Sequence, residues 1–228
     1  MKKFFKSFTL FEIILFFASF AAIIISFFAF GNTEYFYLAT SLVGLFSLTL
    51  IAKGSFIGQI LTVLFGMLYA TVSYFYRYYG EMATYLGMTA PIAIAAVVSW
   101  IRNPASADNR GEVKVNKISL KEYICMTALA ACVTAVFYFI LKYFNTNNLV
   151  LSTVSVFSSF VASYLTLRRS RFYAFAYAAN DIVLIALWVL ASMESFNYLA
   201  MVMCFVVFLA NDVYGFINWS RMQKRQNV

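Results

Sequence analysis

Eight apolar stretches of about 20 residues fill most of this chain. Each is long enough, as a helix, to cross the roughly 30 Å hydrocarbon core of a bilayer. They cover residues 8–30, 35–52, 56–76, 82–101, 122–144, 149–167, 172–191 and 196–219. The runs are continuous and do not alternate apolar with polar, which excludes the strands of a membrane β-barrel. Only 11% of the residues are charged and 63% are hydrophobic, against about 25% charged in an ordinary soluble domain. A soluble core of 228 residues cannot absorb that much apolar side chain. The expected fold is an all-α integral membrane protein.

The basic residues orient the spans. With the N-terminus inside, the inner segments carry Lys2, Lys3, Lys6, Lys53, Arg102, Arg110, Lys114, Lys117, Lys121, Arg168, Arg169, Arg171, Arg221, Lys224 and Arg225, and the outer segments carry Arg77 and Lys142. Fifteen against two accounts for all 17. By the positive-inside rule both termini are cytoplasmic, and removing any middle span would scramble the alternation. The net charge of +8 is therefore used in topology. It is scattered over five short segments rather than gathered into a nucleic-acid-binding patch.

The first run starts like a secretion signal, but it exceeds the usual 7–15 apolar residues and no small-x-small cleavage site follows. It reads as a retained helix. Cys125, Cys132 and Cys204 all fall inside spans without metal-ligand spacing, so they read as packing residues and not as disulfides.

The long polar stretch "RNPASADNRGEVKVNK", residues 102–117, divides the chain in two. The fourth span closes on Trp100-x-Arg102 and the eighth on Trp219-x-Arg221. The second opens after "NTEYFYLATS" and the sixth after "NTNNLVLSTV". Spans 2–4 and 6–8 run in the same direction and are joined by span 5. That is a parallel 3+1+3 repeat about an axis along the membrane normal, set against eight helices without internal symmetry. The expected division is an extra N-terminal helix at 1–31, a three-helix bundle at 32–103, a cytoplasmic loop and linker helix at 104–144, a second bundle at 145–221 and a tail at 222–228.

Two spans carry the triplet Ala-Asn-Asp inside apolar sequence, at Asn180-Asp181 and Asn211-Asp212. Asn180 follows Arg171 by nine residues and Asn211 precedes Trp219 by eight, which puts both roughly 12–13 Å from the inner edge. Ionisable groups at that depth cost several kcal/mol, and no Lys or Arg occupies the middle of a span to offset them. Two readings stand: amides tying helices together, or a ligand or ion pathway. Helical spacing adds Trp188 to the face of Asp181, and a stripe of Asn211, Tyr214 and Asn218. Gln59 lies at a similar depth on the third span. Pro91, in the middle of the fourth, is either a break that lines a cavity or an inert kink. Amides, carboxylates and aromatic faces together suit a hydroxylated aromatic cation. Nothing points to chemistry on a substrate: the chain has no His, no P-loop and no nucleophile elbow. No cofactor or metal is expected, and a uniporter is the simplest transporter that fits.

"NDIVLIALW" from 180, "NDVYGFINWSR" from 211 and "YRYYGEMATYLGMTAPIAIAAVVSWIRNP" from 76 resemble the PnuC family of nicotinamide riboside transporters, from about Gln59 onward. The first span is not covered. The resemblance implies a 3+1+3 core similar to the SWEET sugar transporters with one helix added. It implies residence in the bacterial inner membrane as a homo-oligomer, a trimer. It further implies facilitated diffusion, with the vitamin trapped by phosphorylation inside. Trp188 would then stack on the pyridinium ring. Gln59, Asn180 and Asn211 would take the carboxamide and hydroxyls, and Asp181 and Asp212 would balance charge. Tyr214, Trp100 and Trp219 would flank the site, the two tryptophans also being candidate interface anchors. Thiamine, riboflavin or a sugar are alternative cargoes, and a membrane enzyme or receptor is the rival class.

Overall fold

The computed structural model describes residues 8–75, 78–106 and 111–226. Of the basic residues counted above, Lys2, Lys3, Lys6, Arg77 and Arg110 lie outside the described residues, as do the last two positions of the 222–228 tail. Eight helices are long and apolar enough to span a membrane: α1 Leu10–Ala29, α2 Tyr35–Ala52, α3 Phe56–Phe75, α4 Tyr79–Arg102, α5 Leu120–Tyr143, α6 Leu149–Leu167, α7 Tyr173–Ser192 and α8 Phe196–Arg225. Outside them, an isolated bridge pairs Pro104 with Val113. The protein is an all-helical, multi-pass membrane protein. Its exposed surface is rich in large apolar side chains such as Phe17, Phe75, Phe139 and Phe175, as lipid contact requires.

The boundaries of α2 and α6 are those the sequence predicts. The fourth span differs. It begins at Tyr79 rather than 82, so it takes Glu81 into the bundle, and its middle widens into a π-turn at Tyr85–Thr89. Pro91, in the turn that follows, lacks an N–H and would clash with the carbonyl four residues back in a regular α-helix. The wider turn absorbs that misfit without breaking the helix. Pro91 itself is exposed on the outer face. Tyr85 and Thr89 of the π-turn point inward and are buried.

The inner ends of the helices repeat one pattern of bonds. Trp100 Nε1 on α4 donates to the Thr166 carbonyl at the end of α6 over 2.9 Å, and Trp219 Nε1 on α8 donates to the Ile51 carbonyl at the end of α2 over 2.9 Å. The preceding residues do the same one step along: Ser99 Oγ to Leu167 O at 3.0 Å, Asn218 Nδ2 to Ala52 O at 2.7 Å. Both receiving helices end in a left-handed residue, Gly54 at φ 70° and Arg169 at φ 58°. Glycine suits the first of these because it takes a positive φ without the strain a side chain brings. Glu12, at the start of α1, pairs with Lys53 beside one cap, and Glu122, at the start of α5, pairs with Arg168 beside the other. Each glutamate sits three residues after a Thr9 or Ser119 N-cap whose side chain accepts from its backbone N–H. α1 packs on α2 and α8 much as α5 packs on α6 and the first part of α4. The N-terminal helix thus lies at the edge of the bundle, fastened to α2 and α8, with most of its side chains uncovered.

Candidate functional site

Helix α7 brings Asn180 and Asp181 to the bundle interior, and α8 brings Asp212 to the same level. All three line an enclosed cavity of about 60 Å³ between α2, α3, α4, α6, α7 and α8. The two carboxyl groups share this one small cavity. Asp181 Oδ2 is buried without a partner. The rest of the wall is hydroxyls and rings: Ser47, Thr62, Thr89, Ser159, Tyr85, Tyr173 and Tyr177, with Phe65, Phe205 and Phe208. Thr89 Oγ1 is also buried and unpartnered. No lysine or arginine is among the described residues of the wall. Two carboxylates in a low-dielectric pocket repel when both are ionised, and a cation between them relieves that cost.

Asn180 does two things. Its Oδ1 accepts from Ser158 at 2.8 Å and Ser159 at 3.0 Å, with Ser155 at 3.5 Å. This ties α7 to α6 and fixes the orientation of the amide in the cavity wall. Gln59, on α3, is buried and its Nε2 has no hydrogen-bond partner, although it lies outside the cavity wall. The other expected site residues are also elsewhere. Asn211 turns away from Asp212 and donates to Ser19 of α1 at 3.0 Å and to its own helix at Val207 O. Tyr214 donates to Glu12 of α1. Three-residue spacing had set Asn211 and Tyr214 on one face of α8, and that face meets α1 rather than the cavity.

The tryptophans close the two ends. At the inner end Trp100 and Trp219 pack with ring centroids 5.3 Å apart, and Tyr173 of the cavity wall meets Trp219 at 4.8 Å. Both indoles are fully buried, so they are packing elements of the bundle and not anchors at the lipid surface. At the outer end Trp188 is also fully buried and lies outside the cavity wall. Its Nε1 donates to Tyr69 Oη at 3.2 Å, and its ring meets Tyr78 at 5.0 Å and Tyr198 at 5.9 Å. Replacing Trp188 by Ala is expected to lower stability by about 3–5 kcal/mol through the void it leaves. Phe should cost less, about 1–2 kcal/mol, since it loses mainly the bond to Tyr69. Thermal unfolding of the purified variants in detergent checks this. An alanine variant that melts with the wild type would mean the ring is not packed as described.

A buried carboxyl that the sequence reading passed over is Glu81. It is 2% exposed, and it lies in the first turn of α4. A charge at the edge of an apolar run had been taken as the end of the run. The signal was present in the aromatic density around it, with Tyr76, Tyr78, Tyr79 and Tyr85 all nearby in sequence.

The chain was compared with known proteins. The family model described as "Nicotinamide mononucleotide transporter" matches residues 34–221. The nicotinamide riboside transporter PnuC of Neisseria mucosa is 29% identical over 177 residues, covering 75% of this chain and 67% of the relative. The protein of the same name from Haemophilus influenzae is 22% identical over 184 residues, covering 81% and 78%. A crystal structure of the vitamin B3 transporter PnuC superposes with a TM-score of 0.84 at 24% identity, over 96% of this chain and 94% of that one. That likeness carries the eight-helix fold, and the family match spans most of the chain, α2 through the inner end of α8. The protein is a membrane transporter and not an enzyme, and it belongs to the nicotinamide mononucleotide transporter family.

Proposed function

We propose that this protein carries nicotinamide riboside into the cell by facilitated diffusion. The observation that carries the reading is the charge of the closed cavity: two carboxyls, one oriented amide and several hydroxyls, with no basic side chain among the described residues of its wall. The riboside offers a cationic pyridinium ring, a carboxamide and ribose hydroxyls. The family bears the name of the mononucleotide and two relatives that of the riboside. A phosphate has nothing to pair with beside Asp181 and Asp212, so the riboside is the better match. An uncharged sugar would leave the carboxyl pair without a counter-charge.

In this reading Asp181 and Asp212 balance the ring's charge, Asn180 takes the carboxamide or a hydroxyl, and the unpartnered Gln59 amide joins it only once the bundle opens. Trp188 closes the outer side and the Trp100–Trp219 pair the inner side. Asn211 and Tyr214 act from behind, holding α8 to α1. A cavity of about 60 Å³ has room for about two water molecules, far below the roughly 300–1,000 Å³ of ligand pockets. A nucleoside does not fit in that volume, so in this reading the bundle opens to admit one, to one side of the membrane at a time. The protein sits in the cytoplasmic membrane with both termini inside, and phosphorylation of the riboside in the cytoplasm draws uptake forward.

The test is uptake of radiolabelled nicotinamide riboside into proteoliposomes. Uptake is expected to stop at equal concentrations on the two sides and to survive ionophores, apart from the modest pull of voltage on a cation. Accumulation that requires a sodium or proton gradient would overturn uniport. Uptake of labelled sugars but not of the riboside would favour the sugar-facilitator reading.

A further inference from the structure

Three carboxylates among the described residues are paired with a cation: Glu12 with Lys53, Glu112 with Arg225 and Glu122 with Arg168. All three pairs lie at the inner end, where the basic residues gather. Glu81 is different. It is 2% exposed and sits on the outer side of the cavity. Ser155 of α6, whose hydroxyl donates to Asn180 at 3.5 Å, belongs to a helix that packs on this first turn of α4. Its Oε2 has no hydrogen-bond partner, and neither has the buried Ser73 hydroxyl one turn beyond Tyr69 on α3. A carboxyl that merely tied helices together would have its oxygens satisfied, because an unmet buried polar atom is costly.

Aromatic residues flank it on α4: Tyr78 and Tyr85 lie three residues before and four after Glu81, on the same side of the helix. Tyr69 and Tyr85 have ring centroids 4.5 Å apart, and Tyr69 accepts from Trp188, which rests on Tyr78. Ring faces attract cations, and a carboxylate behind such a cage supplies the charge that a cation would neutralise. We propose that Glu81, Tyr69, Tyr85 and Trp188 form an outer subsite that receives the cationic aromatic ring of the transported molecule before it reaches Asp181 and Asp212. The proposal rests on the riboside reading. It gives Glu81 a role in specificity: the subsite selects a positively charged ring over an uncharged one of the same shape.

The experiment compares nicotinamide riboside with its reduced dihydro form, which keeps the ribose and carboxamide and lacks the positive charge. Both are titrated calorimetrically into wild-type, Glu81→Gln and Glu81→Asp proteins in detergent, with melting temperatures as the control for folding. The glutamine variant is expected to bind the cationic riboside about tenfold or more weakly, with the reduced form almost unchanged, so that the preference for charge collapses. The aspartate variant keeps the charge and should keep the preference. Wild-type affinity of Glu81→Gln for the riboside would overturn the subsite, as would an equal loss for both ligands in a folded variant. A wild-type protein that binds neither ligand would overturn the riboside reading, and the subsite with it.

Discussion

Nicotinamide mononucleotide is expected to bind at least about a thousandfold more weakly than the riboside, and not to be carried. The two ligands share a ring, a carboxamide and a ribose; the difference is a phosphate. Within the cavity the phosphate would meet Asp181 and Asp212 and hydroxyl groups, with no Lys or Arg among the described residues of the wall. Burying an unpaired anion beside two carboxyls costs several kcal/mol, and about 4 kcal/mol is a thousandfold in affinity. Competition against labelled riboside in proteoliposomes measures it. Inhibition by the mononucleotide at concentrations close to those of the riboside would require a basic site that opens only in another state.

Replacing Asp181 or Asp212 by Ala is expected to cut riboside uptake by about a hundredfold or more, since truncating one side of a buried charged contact costs about 2–5 kcal/mol. Asn should do less harm at either position, because it keeps a hydrogen-bond acceptor. The protein itself should not suffer. Neither carboxyl has a cationic partner among the described residues, and removing one relieves the cost of burying two acids together, so the melting temperature should hold or rise. This separates a ligand site from helix glue. Glue residues changed to Ala would lower the melting temperature and spare the affinity of the folded fraction. Normal uptake by both alanine variants would remove the carboxyl pair from the site.

The number and approximate limits of the helices were legible in the sequence, because twenty apolar residues in a row have few other solutions. The shared depth of the two Asn-Asp pairs was legible for the same reason: distance along a helix is fixed at about 1.5 Å per residue. Rotation was not. Spacing says that Asn211 and Tyr214 share a face of α8, but only packing says that this face meets Ser19 and Glu12 of α1. Asp212, one residue on from Asn211, faces the cavity instead. Trp188 was read onto the wall because it shares a face with Asp181, yet two turns of helix carry it past the cavity into the aromatic layer above. The π-turn before Pro91 leaves no mark in a one-dimensional pattern. Its effect is to swing Tyr85 and Thr89 inward, and those two residues were not on any list drawn from periodicity.

The bonds between α1 and α8 also bear on how the chain is made. Ser19 and Glu12 are synthesised 192 and 202 residues before their respective partners Asn211 and Tyr214. Lys53 can reach Glu12 as soon as the second helix is inserted. The remaining polar contacts of the first helix must wait until the eighth leaves the ribosome. A nascent chain stopped after seven helices therefore shows the lipid an unmatched serine and a glutamate with one partner fewer. Such unsatisfied groups are what membrane quality control can recognise, so the ring of helices carries its own sign of completion.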